Sequence, residues 1–231
     1  MMNDFFSLER LFAAFKQIKP YIGLTFQFWI VCIIGITIVA LILAAIRVKN
    51  IPVIQQITSV YISFMRGTPM LIQIFIIYWG LPLLAQILFK MDISRWDALI
   101  FAEIGVILNE SAFLSEDVRA AILAVPHVQK EAAYSIGMTD FVTFIRIVLP
   151  QAIRILIPSY GTRVLVTFQE SSMLYLVGVT DMVSRAKGIA KITGHTLEAF
   201  SSVALIYILF NLVLKGIMNI VEKRMSYGRR C

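Results

Sequence analysis

From Tyr21 to Ile46 the chain carries no charged side chain. A helix rising about 1.5 Å per residue through that stretch outreaches the roughly 30 Å hydrocarbon layer of a bilayer. Burying such a rod in water would need a large protein core, and the chain has only 231 residues, 59% of them hydrophobic. The bilayer is therefore the solvent for most of the molecule, and further apolar windows predict an all-α membrane protein of about five transmembrane helices in a single bundle.

The windows divide the chain as follows. The segment 1–20 mixes acids and bases with Phe5, Phe6, Leu11, Phe12, Phe15 and Ile18, the pattern of an amphipathic interfacial helix, and lacks the cleavage signature of a signal peptide. Transmembrane residues then occupy 21–221, followed by a basic tail over 222–231. The second apolar stretch, Ile51 to Phe89, is too long for one upright crossing. A helix break is expected where Arg66, Gly67 and Pro69 interrupt it, since proline removes a backbone hydrogen bond. Span three is expected over Trp96 to Ala124, span four over Ile147 to Val177 with a bend near Pro158 and Gly161, and span five over Ala199 to Val221. The interval Gly178 to Glu198 reads as a polar, glycine-containing connection.

A net charge of +7 raises nucleic acid as a partner, but the basic residues sit between apolar runs and at the C-terminus, not in one stripe, so no nucleic-acid role is expected. They fit membrane topology instead. With the C-terminus inside, eleven Lys and Arg fall on the cytoplasmic side and eight on the other, which puts the N-terminus outside by the positive-inside rule. Cys32 lies inside the first apolar run, Cys231 ends the chain, and only His127 and His195 are present, so neither a disulfide framework nor a metal or cofactor site is expected. No phosphate-binding G-x-x-x-x-G-K-[ST] stretch occurs. Any ATP-driven motion has to come from another polypeptide.

The interval 126–150 predicts a short helix, a turn and a second amphipathic segment broken by Pro150, with Gly137 as the helix stop. Within it Glu131-Ala132-Ala133, then Gly137, then Leu149-Pro150 form a pattern that resembles the coupling loop of permease subunits of ABC importers. That resemblance implies an ABC importer permease-type bundle whose cytoplasmic coupling helix places Glu131, Ala132, Ala133 and Gly137 against a separate ATPase subunit. It also implies a second permease chain, identical or different, an extracytoplasmic substrate-binding protein, and residence in a bacterial cytoplasmic membrane.

Further stretches are similar to the polar amino-acid permeases of that family: Phe64 to Gln73, Tyr78-Trp79-Gly80-Leu81-Pro82, the set Ala112, Glu116, Arg119, Ile122, Pro126 and Gln129, Pro150-Gln151-Ala152, and Gln169-Glu170-Ser171-Ser172-Met173. The family usually has glycine where Val128 stands, and a Thr-Ser-Leu ending where this chain has Ser171-Ser172-Met173, so the resemblance leaves the cargo open among cystine, glutamine, arginine and other polar amino acids.

Charges within apolar spans point to a pathway, because a carboxylate or guanidinium in the bilayer centre costs roughly 2.5–3.5 kcal/mol on insertion scales. Glu103, Glu110 and Asp117 recur every seven residues on one helix face, and Glu116 and Arg119 stand at ion-pair spacing. Asn109, Glu110, Arg163, Gln169, Glu170 and Ser172 are the candidate substrate-pathway residues, set against the alternative that Glu110, Arg163 and Glu170 only pair between helices. Arg66 has its own two readings, snorkelling to headgroups or touching substrate. A secondary transporter with Glu110 and Glu170 as ion sites is the other transport class, but no internal repeat supports it. A membrane-embedded enzyme lacks a ligand cluster to work with.

Overall fold

The computed structural model describes residues 6–226. Phe5 of the N-terminal segment and the end of the tail, with Arg229 and Arg230, lie outside them. The described residues form helices and no strand: α1 (Leu8–Ile18), a 3-10 turn (Lys19–Tyr21), α2 (Ile22–Val48), α3 (Ile54–Gly67), α4 (Met70–Phe89), α5 (Ala98–Leu123), α6 (His127–Ser135), α7 (Asp140–Thr143), a π-helical turn (Phe144–Val148), α8 (Leu149–Glu170), a second 3-10 turn (Ser171–Val177), α9 (Met182–Thr193) and α10 (Thr196–Ser226). Five stretches are long and apolar enough to cross a membrane: Leu8–Val48, Met70–Phe89, Ala98–Leu123, Asp140–Val177 and Thr196–Met225.

The bundle is organised around α5. Its cross-section is the most buried of the five, and α2 packs along it more extensively than any other pair of helices. Contact at that depth depends on Gly35, where an added Cβ would lie 2.5 Å from the Ile107 Cδ1. Phe28, Cys32, Ile36, Ala40 and Ala44 line the α2 stripe against Ala102, Val106, Leu114 and Val118 of α5. A second core joins α1, α9 and α10 through Ala14, Ile18, Ala186, Ile189, Ala199 and Val203 around Phe168. Outward faces stay apolar, with Ile34, Ile38, Ile76, Leu83, Leu209 and Leu212 all exposed, as a lipid solvent requires.

Three expectations change. The span beginning at Ile147 instead starts at Asp140, because the chain passes through Pro150 without a break. The π-helical turn lets the Leu149 N–H reach the Phe144 carbonyl five residues back, and Pro150 sits in the first turn of α8, where its missing N–H is tolerated. The polar interval after Gly178 contains a helix, α9, capped by the Asp181 carboxylate accepting from the Ser184 N–H at 2.8 Å and stopped by Gly194 at φ +75°. Gly161 is a site of close approach, where an added Cβ would meet the Met218 Cε of α10 at 2.8 Å, within a helix that runs on through Pro158.

The N-terminal helix is tied into the bundle at one end. Its Leu11, Ala14 and Ile18 are buried while Leu8 and Phe12 are exposed. The Ser7 N–H donates to the Glu198 carboxylate at 3.2 Å, and the Ser202 hydroxyl donates to the Leu11 carbonyl at 2.9 Å.

Gly35→Val is expected to cost about 1–3 kcal/mol, the usual penalty of overpacking. Thermal melting in detergent should show the drop, and Ile107→Ala in the same chain should restore most of it. An unchanged melting temperature in Gly35→Val would refute the close contact.

Candidate functional site

At the middle of the bundle the second apolar stretch parts. Helix α3 ends at Gly67 and α4 starts at Met70, with Thr68 and Pro69 extended between them. A gap in a membrane helix frees backbone carbonyls that water cannot reach, so side chains have to satisfy them. Gln73, buried one turn into α4, donates its amide to the Met65 carbonyl at 3.0 Å and the Thr68 carbonyl at 3.2 Å. Asn109 of α5 donates to the same Met65 carbonyl at 3.0 Å and to the Gln73 side-chain oxygen at 2.9 Å. Tyr61 adds a bond to the Leu108 carbonyl at 2.7 Å. Asn109, chosen from sequence as a pathway residue, is thus turned toward the break and away from Glu110.

Glu110 and Arg163 are brought together. The guanidinium of Arg163 on α8 reaches Glu110 at 3.5 Å and Asp117 at 3.2 Å, joining two acids two turns apart on α5. The Glu110 side chain is 3% exposed and that of Arg163 23%, so this is a largely desolvated pair with one open flank. Arg163 also lies over the Phe113 ring, 4.8 Å from its centroid, and Arg66 lies over the same ring at 5.3 Å. Arg66 is therefore packed on an aromatic face of the bundle, with no snorkelling needed to explain it. One face of α5 carries Glu110, Phe113 and Asp117 in a half-open row, as their seven-residue and three-residue spacing dictates.

The remaining candidates lie further along. Glu170 closes α8, two turns beyond Arg163, with its Oε2 buried and unpartnered. Gln169 is exposed and Ser172 half-buried in the 3-10 turn, so neither joins the Glu110–Arg163 contact. Toward the opposite end Glu116 accepts from Arg47 of α2 and from Arg119 at 3.0 Å, which forms the ion pair expected within α5. Phe113, Gln73 and Tyr61 escaped the sequence reading. Phe113 was legible as the position between Glu110 and Asp117 on the same stripe, whereas Gln73 and Tyr61 carry no local signal.

At that same end α6 projects from the bundle. Glu131 and Ala132 are exposed, while Ala133 is buried and turned inward. Gly137 at φ +80° closes the helix: its N–H reaches the Tyr134 carbonyl at 2.9 Å and the Met138 N–H reaches the Ala133 carbonyl at 3.1 Å, a Schellman arrangement. His127 and Glu131 pair across one turn at 3.0 Å. A hydrogen bond to Asp140 pushes the Tyr134 phenol above its ordinary value, which ties α6 to the start of α7.

A helix broken at membrane depth, a polar seam beside the break and a short helix standing off one end are features that suit a transport permease subunit. The chain belongs to the binding-protein-dependent transport system inner membrane component family, whose pattern matches residues 36–227. It is 36% identical over 218 residues, 94% of this chain and 95% of the relative, to the probable amino-acid permease protein YxeN of Bacillus subtilis (strain 168). It is 31% identical over 225 residues, 97% of this chain and 94% of the relative, to the L-cystine transport system permease protein TcyL of the same organism. Among solved structures, an amino acid ABC transporter crystallised with histidines superposes with a TM-score of 0.82 at 28% identity, covering 97% of this chain and 100% of that one. A chain of the MetNI methionine ABC transporter in an inward-facing conformation shares the fold, with a TM-score of 0.67 at 16% identity.

Arg163→Ala would leave Glu110 buried without its counter-ion, at an expected cost of about 3–5 kcal/mol. Combining Arg163→Met with Glu110→Gln and Asp117→Asn should recover most of the lost melting temperature. Equal melting of Arg163→Ala and the native chain would show that the pair contributes nothing.

Proposed function

We propose that this chain is the translocating subunit of an ABC importer for a polar amino acid, with the Glu110–Arg163–Asp117 seam and Glu170 lining the route of the cargo. The observation that carries this reading is the buried, unpartnered Glu170 Oε2 two turns from a seam in which two acids share one base, so the region carries excess negative charge. An amino acid brings an ammonium group to a carboxylate in need of one. The relatives named for amino-acid and cystine transport support the cargo class.

In this reading α6 is the coupling helix and faces the cytoplasm, so the N-terminus is outside and the C-terminus inside. Glu131 and Ala132 meet a groove of the separate ATPase, Ala133 seats the helix on its own bundle, and Gly137 fixes the angle at which it stands. A second permease chain closes the half-open α5 face, and an extracytoplasmic binding protein delivers cargo from the opposite end. ATPase closure pushes the two coupling helices together and rocks the bundles, a two-state motion. Gln169 and Ser172 extend the route past Glu170, and Asn109 holds the broken helix beside it.

Purified permease should retain its ATPase partner on a column, and Glu131→Lys or Gly137→Asp should release it. At Gly137 the positive φ adds roughly 1–2 kcal/mol of backbone strain for any side chain. In vesicles holding the assembled complex, Glu110→Gln and Glu170→Gln should lower uptake or shift its selectivity at unchanged assembly. Full ATPase retention in both loop variants, or uptake abolished by an uncoupler and indifferent to ATP, would contradict the importer reading.

A further inference from the structure

Four arginines gather around Phe113 and Glu116, three of them paired with acids and the fourth, Arg66, exposed. Arg47 and Arg119 share Glu116, and Arg163 holds Glu110 and Asp117. Arg66, among the described residues, makes no ion pair; its contact is the face of Phe113. Its depth is fixed by its neighbour, because the Met65 carbonyl is bonded to Asn109, which lies near the midpoint of α5. The Arg66 backbone therefore stands near mid-depth, and its exposed guanidinium reaches over Phe113 toward the α6 end, where a cation within the membrane is costly unless it faces water or an anion.

A cavity of about 540 Å³ opens there, lined by Arg47, Ile62, Ser63, Arg66, Gly67, Phe113 and Glu116. Glu116 is shared by Arg47 and Arg119, so the lining is net positive and has no acid left over for Arg66. Ser63 precedes Arg66 by three residues, one turn along the same face of α3, and a Cβ at Gly67 would touch nothing within 4 Å, so the approach to the guanidinium is open. The hollow is shallow and open, with Ser63, Arg66 and Gly67 all exposed along it. A guanidinium presents a planar fork of donors that matches a carboxylate with two parallel hydrogen bonds.

We propose that Arg66, with Ser63 beside it, is a carboxylate-binding station of the pathway that receives the α-carboxylate of the cargo at the broken helix. The proposal rests on the amino-acid importer reading and adds to it a polarity along the route. Glu170 offers an anion to the ammonium near one end of α8, and Arg66 offers a cation to the carboxylate on the α6 side of it.

The test uses the complete transporter in proteoliposomes with a panel of radiolabelled proteinogenic amino acids and L-cystine, together with retention of the transported probe by the detergent-solubilised permease–ATPase complex lacking the binding protein. Arg66→Gln should lower probe retention and raise the half-saturating concentration for uptake at least tenfold, with basal ATP hydrolysis and assembly unchanged. Arg66→Lys, a point charge without the fork, should fall between. The α-carboxamide of the same probe should compete with it weakly in the native complex and no more weakly in Arg66→Gln. Native retention and uptake in Arg66→Gln overturn the station while leaving the importer reading intact. So does loss of permease pairing in Arg66→Gln with a normally folded single chain, which would assign the guanidinium to an acid of the second permease. A native complex that carries none of the panel overturns the cargo reading and the station together.

Discussion

The two-amide clamp at the broken helix is the interaction on which the centre of the structure depends. In lipid every backbone group has to be satisfied from within the protein, and the parting of α3 and α4 leaves the Met65 and Thr68 carbonyls without helical partners. Gln73 closes the gap from the α4 side and Asn109 from α5, and the two amides bond to each other as well. Because Asn109 belongs to the most buried helix, the break is positioned by the core and does not drift along the chain. An apolar residue at position 73 would leave the Thr68 carbonyl unpaired, and one at 109 would strip the Gln73 side-chain oxygen of its donor, at about 1–3 kcal/mol each.

The clamp also decides what the neighbouring side chains can do. Rotating α5 so that Asn109 faces the break turns Glu110 by about 100° toward α8, where Arg163 meets it. The break ends α3 at the level of Phe113, so Arg66 and Arg163 come to share one ring. A polar seam at membrane depth thus follows from one helix register and one interruption. Its ions compensate one another only in part, with two acids on Arg163 and two bases on Glu116, while among the described residues Glu170 and Arg66 stand outside these pairs.

Much of this was legible in the sequence, and the failures have physical causes. Apolar runs locate the spans because lipid imposes a length, and the Gly-Thr-Pro interruption of the second run locates the gap between α3 and α4. The seven-residue spacing of Glu110 and Asp117 gave their common face, but their shared partner Arg163 lies on another helix, and no periodicity reports a contact between elements. Helix α9 was missed because polar residues outweighed its signals, although Asp181 at the cap and Gly194 at the stop were both present. Pro150 misled because a π-helical turn before it absorbs the missing bond, and such turns leave no mark in composition. Ala133 was taken with Ala132 as an outward contact; adjacent helical residues point about 100° apart, and one of them had to face the bundle.

The uninterrupted run from α7 through the π-helical turn into α8 gives the molecule its mechanical logic. A proline that broke the chain at position 150 would have left α6 hinged and free to move alone. Instead Asp140 is joined to Tyr134 behind it and continues as helix to Glu170 ahead of it. Val125 and Val148 pack with Ala152 beneath α6, so the foot of α8 and the exit of α5 share one small core. That core joins the two helices whose polar side chains, Glu110 and Asp117 on α5 and Arg163 on α8, pair with one another further along.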